Sequence, residues 1–433
     1  MQNLESTPNA LCQLGIEFLL GGGVITHLPE MLTSRGVHSV FLLADKNTYA
    51  AAGKHTSSLL SDAGIRVFVY VFDEDRIEPN EGAVGLAVMH FDPSVDAVIG
   101  VGSGVINDIG KIVAHVGGKP YVVVATAPSM DGYASAASSM SVAGLKISLP
   151  SKCADIIVGD TDILCEAPIE MMRAGLGDML AKYVAICEWR ISNLINGEAY
   201  CADVADMVRA SLKKCVDGAD GLLARDKTAV SAVFEGLALC GAAMKIAGTS
   251  RPASGVEHYL SHVWDMRGEA FHTPVALHGM QCAVGTYIAV EIYEKIRNLS
   301  PNRQKAIDYV EGFDYSSWAE ALRAFVGKGA EAMIALEAKE KKYDAKKHAK
   351  RLDRILEKWD EILRIIEEEI PALSELSALY DKIGLPKSIR EIGLHEDILP
   401  MTFKATKDIR DKYVLSRLCF DLGIIQEVAE EMV

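Results

Sequence analysis

The chain has 433 residues, 49% hydrophobic and 24% charged, with a formal net charge of −15. That length suggests two or three domains with ample apolar material for their cores, so disorder is excluded as the main theme. The acidic balance disfavours a nucleic-acid partner, and nine scattered cysteines without a CxxC pair read as buried thiols of a cytoplasmic protein rather than a secreted disulfide scaffold.

Residues 1–25 lack a basic segment leading through an apolar core to a small-residue cleavage site, so no signal peptide is expected. Nor does any stretch reach the roughly 20 uninterrupted apolar residues of a membrane span. Residues 39–44 (SVFLLA) read as a strand followed by helical sequence to about residue 61. A second strand is predicted over 65–72 (IRVFVYVF), a helix over 81–90, and a third strand over 95–100. Next come a helix over 104–116 and a fourth strand over 121–125 (YVVVA). Continuous apolar strands separated by helices imply a parallel sheet covered on both faces, which binds ligands beyond the carboxyl ends of its strands.

Residues 138–150 (SSMSVAGLKISLP) read as a hairpin turning at Ala143-Gly144. Helical periodicity then takes over, at 169–193, 199–217, 227–247 and from 279 onward. The chain therefore divides into an α/β domain over 1–166 and an all-helical domain over 167–433. Residues 338–369 alternate charges with Leu, Ile and Trp at helical spacing, and read as a solvated amphipathic helix.

Two regions carry chemistry. Gly100-Val101-Gly102-Ser103-Gly104-Val105-Ile106-Asn107-Asp108 follows a strand and opens a helix, where glycines allow close approach of a phosphate to free helical N–H groups. It is not the GxGxxG fingerprint, because Val105 stands where the third glycine would be. Asp45, just past the first predicted strand, suits a ribose hydroxyl or else caps the helix that follows. The polar loop Thr126-Ala127-Pro128-Ser129-Met130-Asp131-Gly132-Tyr133 leaves the same sheet edge.

The second half concentrates metal-capable side chains. Asp178 follows Gly175-Leu176-Gly177, His258 and His262 sit at i and i+4 on one helix face, and His278 opens a further helix with His272 upstream. One carboxylate and two imidazoles make a three-ligand site for Zn²⁺, Fe²⁺ or Ni²⁺ with open positions. Such an ion lowers the pKa of an alcohol that loses hydride to a nicotinamide.

The segments GSGVINDIGK, TAPSMDGYAS, GLGDMLAKY, SGVEHYLSH and LHGMQ, in this order, resemble the iron-containing alcohol dehydrogenase-like superfamily. Within it the chain is most similar to the sn-glycerol-1-phosphate dehydrogenases of the bacterial AraM-like branch. The resemblance implies a dehydroquinate synthase-like fold: a parallel-sheet dinucleotide-binding domain followed by an all-α domain. It implies NAD or NADP contacts at Asp45, Gly102, Gly104, Val105, Ile106, Asn107, Asp108, Thr126, Ala127, Pro128, Ser129 and Ser135. Asp178, His258 and His278 match metal ligands, while Asp131, Asp178 and His262 match the substrate-contacting, catalytic positions. Lys412 and Val414 depart from the Arg-x-Arg-Tyr-Thr form of that branch.

The implied activity interconverts dihydroxyacetone phosphate, a small phosphorylated triose, and sn-glycerol 1-phosphate, in a cytoplasmic homodimer with one divalent ion. Alternatives are a glycerol dehydrogenase acting on unphosphorylated polyols, a dehydroquinate synthase-like cyclase and a catalytically silent regulator. A cyclase would need more cations than Lys146, Lys152, Lys182 and Arg251 supply near the motif loops.

Overall fold

A computed structural model describes residues 8–74 and 77–432. Residues 1–7, part of the stretch read for a signal peptide, lie outside the described residues. Compactness divides the chain into two units. The first comprises residues 1–142, 147–179 and 206–249, and the second residues 143–146, 180–205 and 250–433.

In the first unit, β1 (Glu17–Gly21), β2 (Ser39–Asp45), β3 (Arg66–Phe72), β4 (Ala97–Gly102), β5 (Tyr121–Ala125) and β8 (Ile156–Asp160) form one sheet. Its order is β1-β8-β5-β4-β2-β3, and each neighbouring pair is parallel. β4, β5 and β8 are buried along their whole length, which is why they read as unbroken apolar runs rather than alternating ones. The four predicted strands are β2, β3, β4 and β5. The first and last strands to join the sheet, β1 and β8, were not anticipated from pattern. Each is five residues long and contains or adjoins glycine, so neither offers a long β-branched run. β6 (Ala137–Val142) and β7 (Leu145–Pro150) form the expected hairpin, with Ala143 and Gly144 at φ 51° and 79°.

Packing groups the chain differently from a single cut at 166/167, since the helix Lys227–Ala247 belongs with the sheet. Phe234 of that helix stacks on Phe18 of β1 at 5.8 Å, and occupies the space a Cβ on Gly159 of β8 would need. By length and composition alone this helix is apolar enough to cross a membrane, but 67% of its apolar window is buried inside the fold, as a core helix requires.

The second unit is helical. Val256–Phe271 and His278–Arg297 pack along each other, and Gly285 permits the close approach: a Cβ there would lie 2.7 Å from the Glu257 carbonyl oxygen. The charged stretch at 338–369 is not one solvated helix. Lys341 at φ 51° and the Asp344 cap break it, giving Ala330–Glu340, Ala345–Glu357 and Trp359–Glu369. Leu352, Ile355, Ile362 and Ile366 are buried, so these helices cover core on one face.

Candidate active site and metal centre

The strand order reverses between β2 and β4, because β3 continues on one side of β2 and β4 pairs on the other. Open α/β sheets bind ligands at such a switch point. The register pairs Leu43 with Gly100 and Gly102 with Ala125. Asp45, the glycine turn and the segment from Thr126 therefore emerge from neighbouring strands at one carboxyl edge.

The turn is built around missing side chains. A Cβ on Gly102 would lie 2.7 Å from Cβ of Ile106, inside the helix Gly104–Gly117. Ser103, the N-cap of that helix, makes no side-chain cap hydrogen bond, so its first-turn N–H groups are set out for an anion. Asp45 caps the short helix Lys46–Thr48: its Oδ1 accepts from the Thr48 N–H at 2.8 Å, and Thr48 Oγ1 accepts from the Asp45 N–H. The capping alternative is thus realised, and one carboxylate oxygen is occupied by it.

Two of the matched cofactor positions spend their side chains inside the protein. Asn107 is fully buried, donating to the Gly132 carbonyl and accepting from Tyr121. Asp108 pairs with Lys111 at 3.0 Å and accepts from the Ser139 N–H. Lys111, which the sequence did not single out, is completely buried and donates to the carbonyls of Gly132 and Ala137. It ties the helix to the loop that carries Asp131 and Ser135. Ser135 is buried beside it and donates to the Ala137 carbonyl. Thr126, Ala127 and Ser129 are buried too, and Tyr133 donates to the Ala127 carbonyl at 2.5 Å.

The helix Ile169–Leu180 braces the same loop twice. At Gly175 a Cβ would stand 1.8 Å from the Pro128 carbonyl oxygen, and three residues later Asp178 Oδ2 accepts from the Asp131 N–H at 3.0 Å. Asp178 is fully buried.

In the second unit the close packing at Gly285 brings the ring centroids of His258 and His278 to 5.1 Å. Each imidazole is oriented through Nδ1. His258 Nδ1 lies 2.9 Å from Glu257 Oε1, and His278 Nδ1 lies 3.0 Å from Ser261 Oγ. Ser261 donates its own proton to Gln281 Oε1, so its oxygen accepts from His278; Gln281 Nε2 in turn donates to Asp265. With Nδ1–H engaged on both rings, Nε2 is the lone-pair nitrogen of each.

Among the described residues of the second unit, His258, His278 and Cys282 each offer one donor atom, and these atoms lie within 4.8 Å of one another. Two imidazoles and a thiol suit a divalent transition metal. Cys282, one of the cysteines read as buried thiols, is buried and belongs to this group. The signal was available, because Cys282 is four residues beyond His278 on one helix. Burial alone would push its thiol up, yet His258 and His278 outweigh that and hold it below the usual thiol range.

His262 is outside the donor group, with its ring centroid 6.2 Å from that of His278. Its Nδ1 is buried without a hydrogen-bond partner. Burial first, then the Arg410 guanidinium, then His278, His258 and Lys146, hold this imidazole well below the ordinary histidine range, so it is neutral at pH 7. His272 is exposed and ends its helix at φ 54°, away from any ligand role.

The family model for iron-containing alcohol dehydrogenases matches residues 19–168. A relative from Halalkalibacterium halodurans, named glycerol-1-phosphate dehydrogenase [NAD(P)+], is 34% identical over 281 residues, covering 64% of this chain and 70% of that one. One of the same name from Bacillus licheniformis is 25% identical over 400 residues, 92% and 86% of the two chains. The crystal structure of glycerol dehydrogenase from Schizosaccharomyces pombe superposes with a TM-score of 0.60 at 18% identity, covering 96% of this chain and 90% of that one. The parallel sheet, the helical unit and these matches agree: the chain belongs to the iron-containing alcohol dehydrogenase family, in its glycerol-1-phosphate dehydrogenase group.

Proposed function

We propose that the chain is a metal-dependent, NAD(P)-linked oxidoreductase interconverting dihydroxyacetone phosphate and sn-glycerol 1-phosphate. The observation that carries this is the donor group containing His258 and His278, in a chain whose relatives are named glycerol-1-phosphate dehydrogenase [NAD(P)+]. When bound, the dinucleotide supplies hydride for C2 of the ketone, and a divalent Zn, Ni or Fe ion supplies positive charge that polarises the carbonyl.

The chain's own residues bind, orient and move a proton. The first-turn N–H groups after Gly104 take the pyrophosphate, while Asp45, Thr126–Ser129 and Ser135 take the ribose and nicotinamide side. Asp178, His258 and His278 hold the ion. Asp131 accepts a substrate hydroxyl and is held in place by its N–H bond to Asp178. His262, neutral and with Nδ1 uncommitted, hydrogen-bonds the reacting oxygen and relays its proton.

The test is NADH oxidation by metal-supplemented protein offered dihydroxyacetone phosphate, dihydroxyacetone or, in reverse with NAD, glycerol. The phosphorylated ketone should be the substrate. Turnover confined to unphosphorylated compounds would replace this reading with a glycerol dehydrogenase.

A further inference from the structure

Cys282 is completely buried and lies on the same face of the helix His278–Arg297 as His278. Its Sγ is 3.5 Å from His278 Nε2 and 4.0 Å from Nδ1. Since Nδ1 is engaged with Ser261, the sulfur sits beside the nitrogen that faces the other donors. Zinc binds sulfur at about 2.3 Å and imidazole nitrogen at about 2.0–2.1 Å; at a tetrahedral angle these bonds place S and N about 3.6 Å apart. The observed separation is the bite of two ligands on one such ion.

We propose that Cys282 is a fourth protein ligand of the metal centre, and that its sulfur makes the resting site selective for zinc. The proposal rests on the metal-dependent reading above and goes beyond it, since neither the Asp178, His258 and His278 set nor the family name includes a thiol. The chemistry favours zinc because thiolate is a soft ligand and zinc accepts four protein donors at rest and a fifth ligand when a substrate oxygen arrives, whereas harder ions prefer more oxygen donors. The outer partners fit the same geometry. Glu257 on His258 and Ser261 on His278 engage both Nδ1 atoms, so Nε2 is the ligating nitrogen of each ring. Metal uptake releases the Cys282 proton to solvent, leaving thiolate as the ligand.

Cobalt(II) titrated into the chelator-stripped, full-length protein separates the two readings without any activity measurement. Wild-type protein should develop intense visible ligand-field absorption, which reports metal in a tetrahedral site, and a near-ultraviolet sulfur-to-cobalt charge-transfer band, which reports Cys282. Cys282→Ala should keep the visible absorption and lose the near-ultraviolet band. Its affinity should fall at least as far as the 10- to 100-fold typical of losing an outer-sphere partner. Displacement by Zn²⁺ against Ni²⁺ should show a zinc preference in wild type that narrows in the variant. Visible absorption without the near-ultraviolet band in wild-type protein would overturn the thiolate ligand alone, leaving an S–H···N hydrogen bond and the three-ligand site. Failure of wild-type protein to take up cobalt would overturn the whole donor set and this proposal with it. The wild-type spectrum decides the matter even if the variant folds poorly.

Discussion

Replacing Gly175 by alanine tests whether the helix Ile169–Leu180 is the brace of the substrate loop. A Cβ at this position would lie 1.8 Å from the Pro128 carbonyl oxygen and 3.1 Å from Val233 Cγ1. The first obstacle is backbone, not the tip of a mobile side chain, so helix and loop must separate by more than about 1 Å. Overpacking of this kind costs about 1–3 kcal/mol or more. The same movement pulls on the 3.0 Å bond from the Asp131 N–H to Asp178, three residues along the helix. A misplacement of about 1 Å at a positioning group lowers turnover by on the order of 100-fold. Gly85→Ala is the control. It sits inside the helix Glu81–His90 with nothing within 4 Å of its would-be Cβ, so it should be stabilising by about 1 kcal/mol. Urea unfolding gives the two stabilities, and steady-state NADH oxidation gives the two turnover numbers. If Gly175→Ala unfolds at the wild-type urea concentration and turns over normally, the helix does not brace the loop and the reasoning fails.

Other perturbations follow from single contacts. Glu257→Ala removes the acceptor that orients His258, and should weaken cobalt or zinc affinity by about 10- to 100-fold in a chelator competition; Glu257→Gln, which keeps an acceptor oxygen, should recover most of it. Lys412 is held from 10.5 down to about 7 by burial first and then by Arg251 and Arg410, against the opposing pull of Glu257 and Glu188. Between about pH 7 and 10.5 the unfolded chain therefore binds a proton that the folded chain lacks, so stability rises with pH across that window. Lys412→Met should flatten this rise in thermal scans; an unchanged slope would show that Lys412 titrates normally. Arg410 acts electrostatically on the His262 imidazole, the position matched to substrate, so it is the cation placed to meet an anionic substrate. Arg410→Gln should raise the KM for dihydroxyacetone phosphate about tenfold or more, by the worth of a charged hydrogen bond, and leave dihydroxyacetone unaffected. Equal effects on both compounds would remove Arg410 from phosphate recognition.

Much of the first unit was legible because its inner strands are buried on both faces and so print themselves as apolar runs. β5 was bounded to the residue, and the glycine turn was placed at a strand end facing a helix. β1 and β8 escaped because pairing, not local propensity, makes them strands. Glu17–Gly21 and Ile156–Asp160 stabilise each other in register, over a separation no local window spans. The cut at 166/167 followed the switch from strand to helix periodicity, yet periodicity is blind to which layer a helix covers. Phe234 against Phe18 is what assigns the helix Lys227–Ala247 to the sheet. The buried Lys111 and the Glu257–His258 contact were likewise invisible, since a Lys or Glu in a helical sequence usually means solvent.

Net charge speaks only for the long range. At −15 the chain offers no long-range attraction to an anionic cofactor or a phosphorylated triose. Locally the sign reverses. Arg410 and Lys146 both act, after burial, to depress the proton affinity of His262, so two cations reach this imidazole. Lys412, whose ammonium donates to Ser250 Oγ at 2.6 Å and to the Ser254 carbonyl, lies on the same closing segment as Arg410. A short-ranged positive field inside an acidic surface recognises an anion only after contact. It spares the protein the non-specific polyanion binding that a generally basic surface would bring. The composition therefore constrained how the ligand is met, not whether it is anionic. That information resides in buried cations, whose positions depend on tertiary packing.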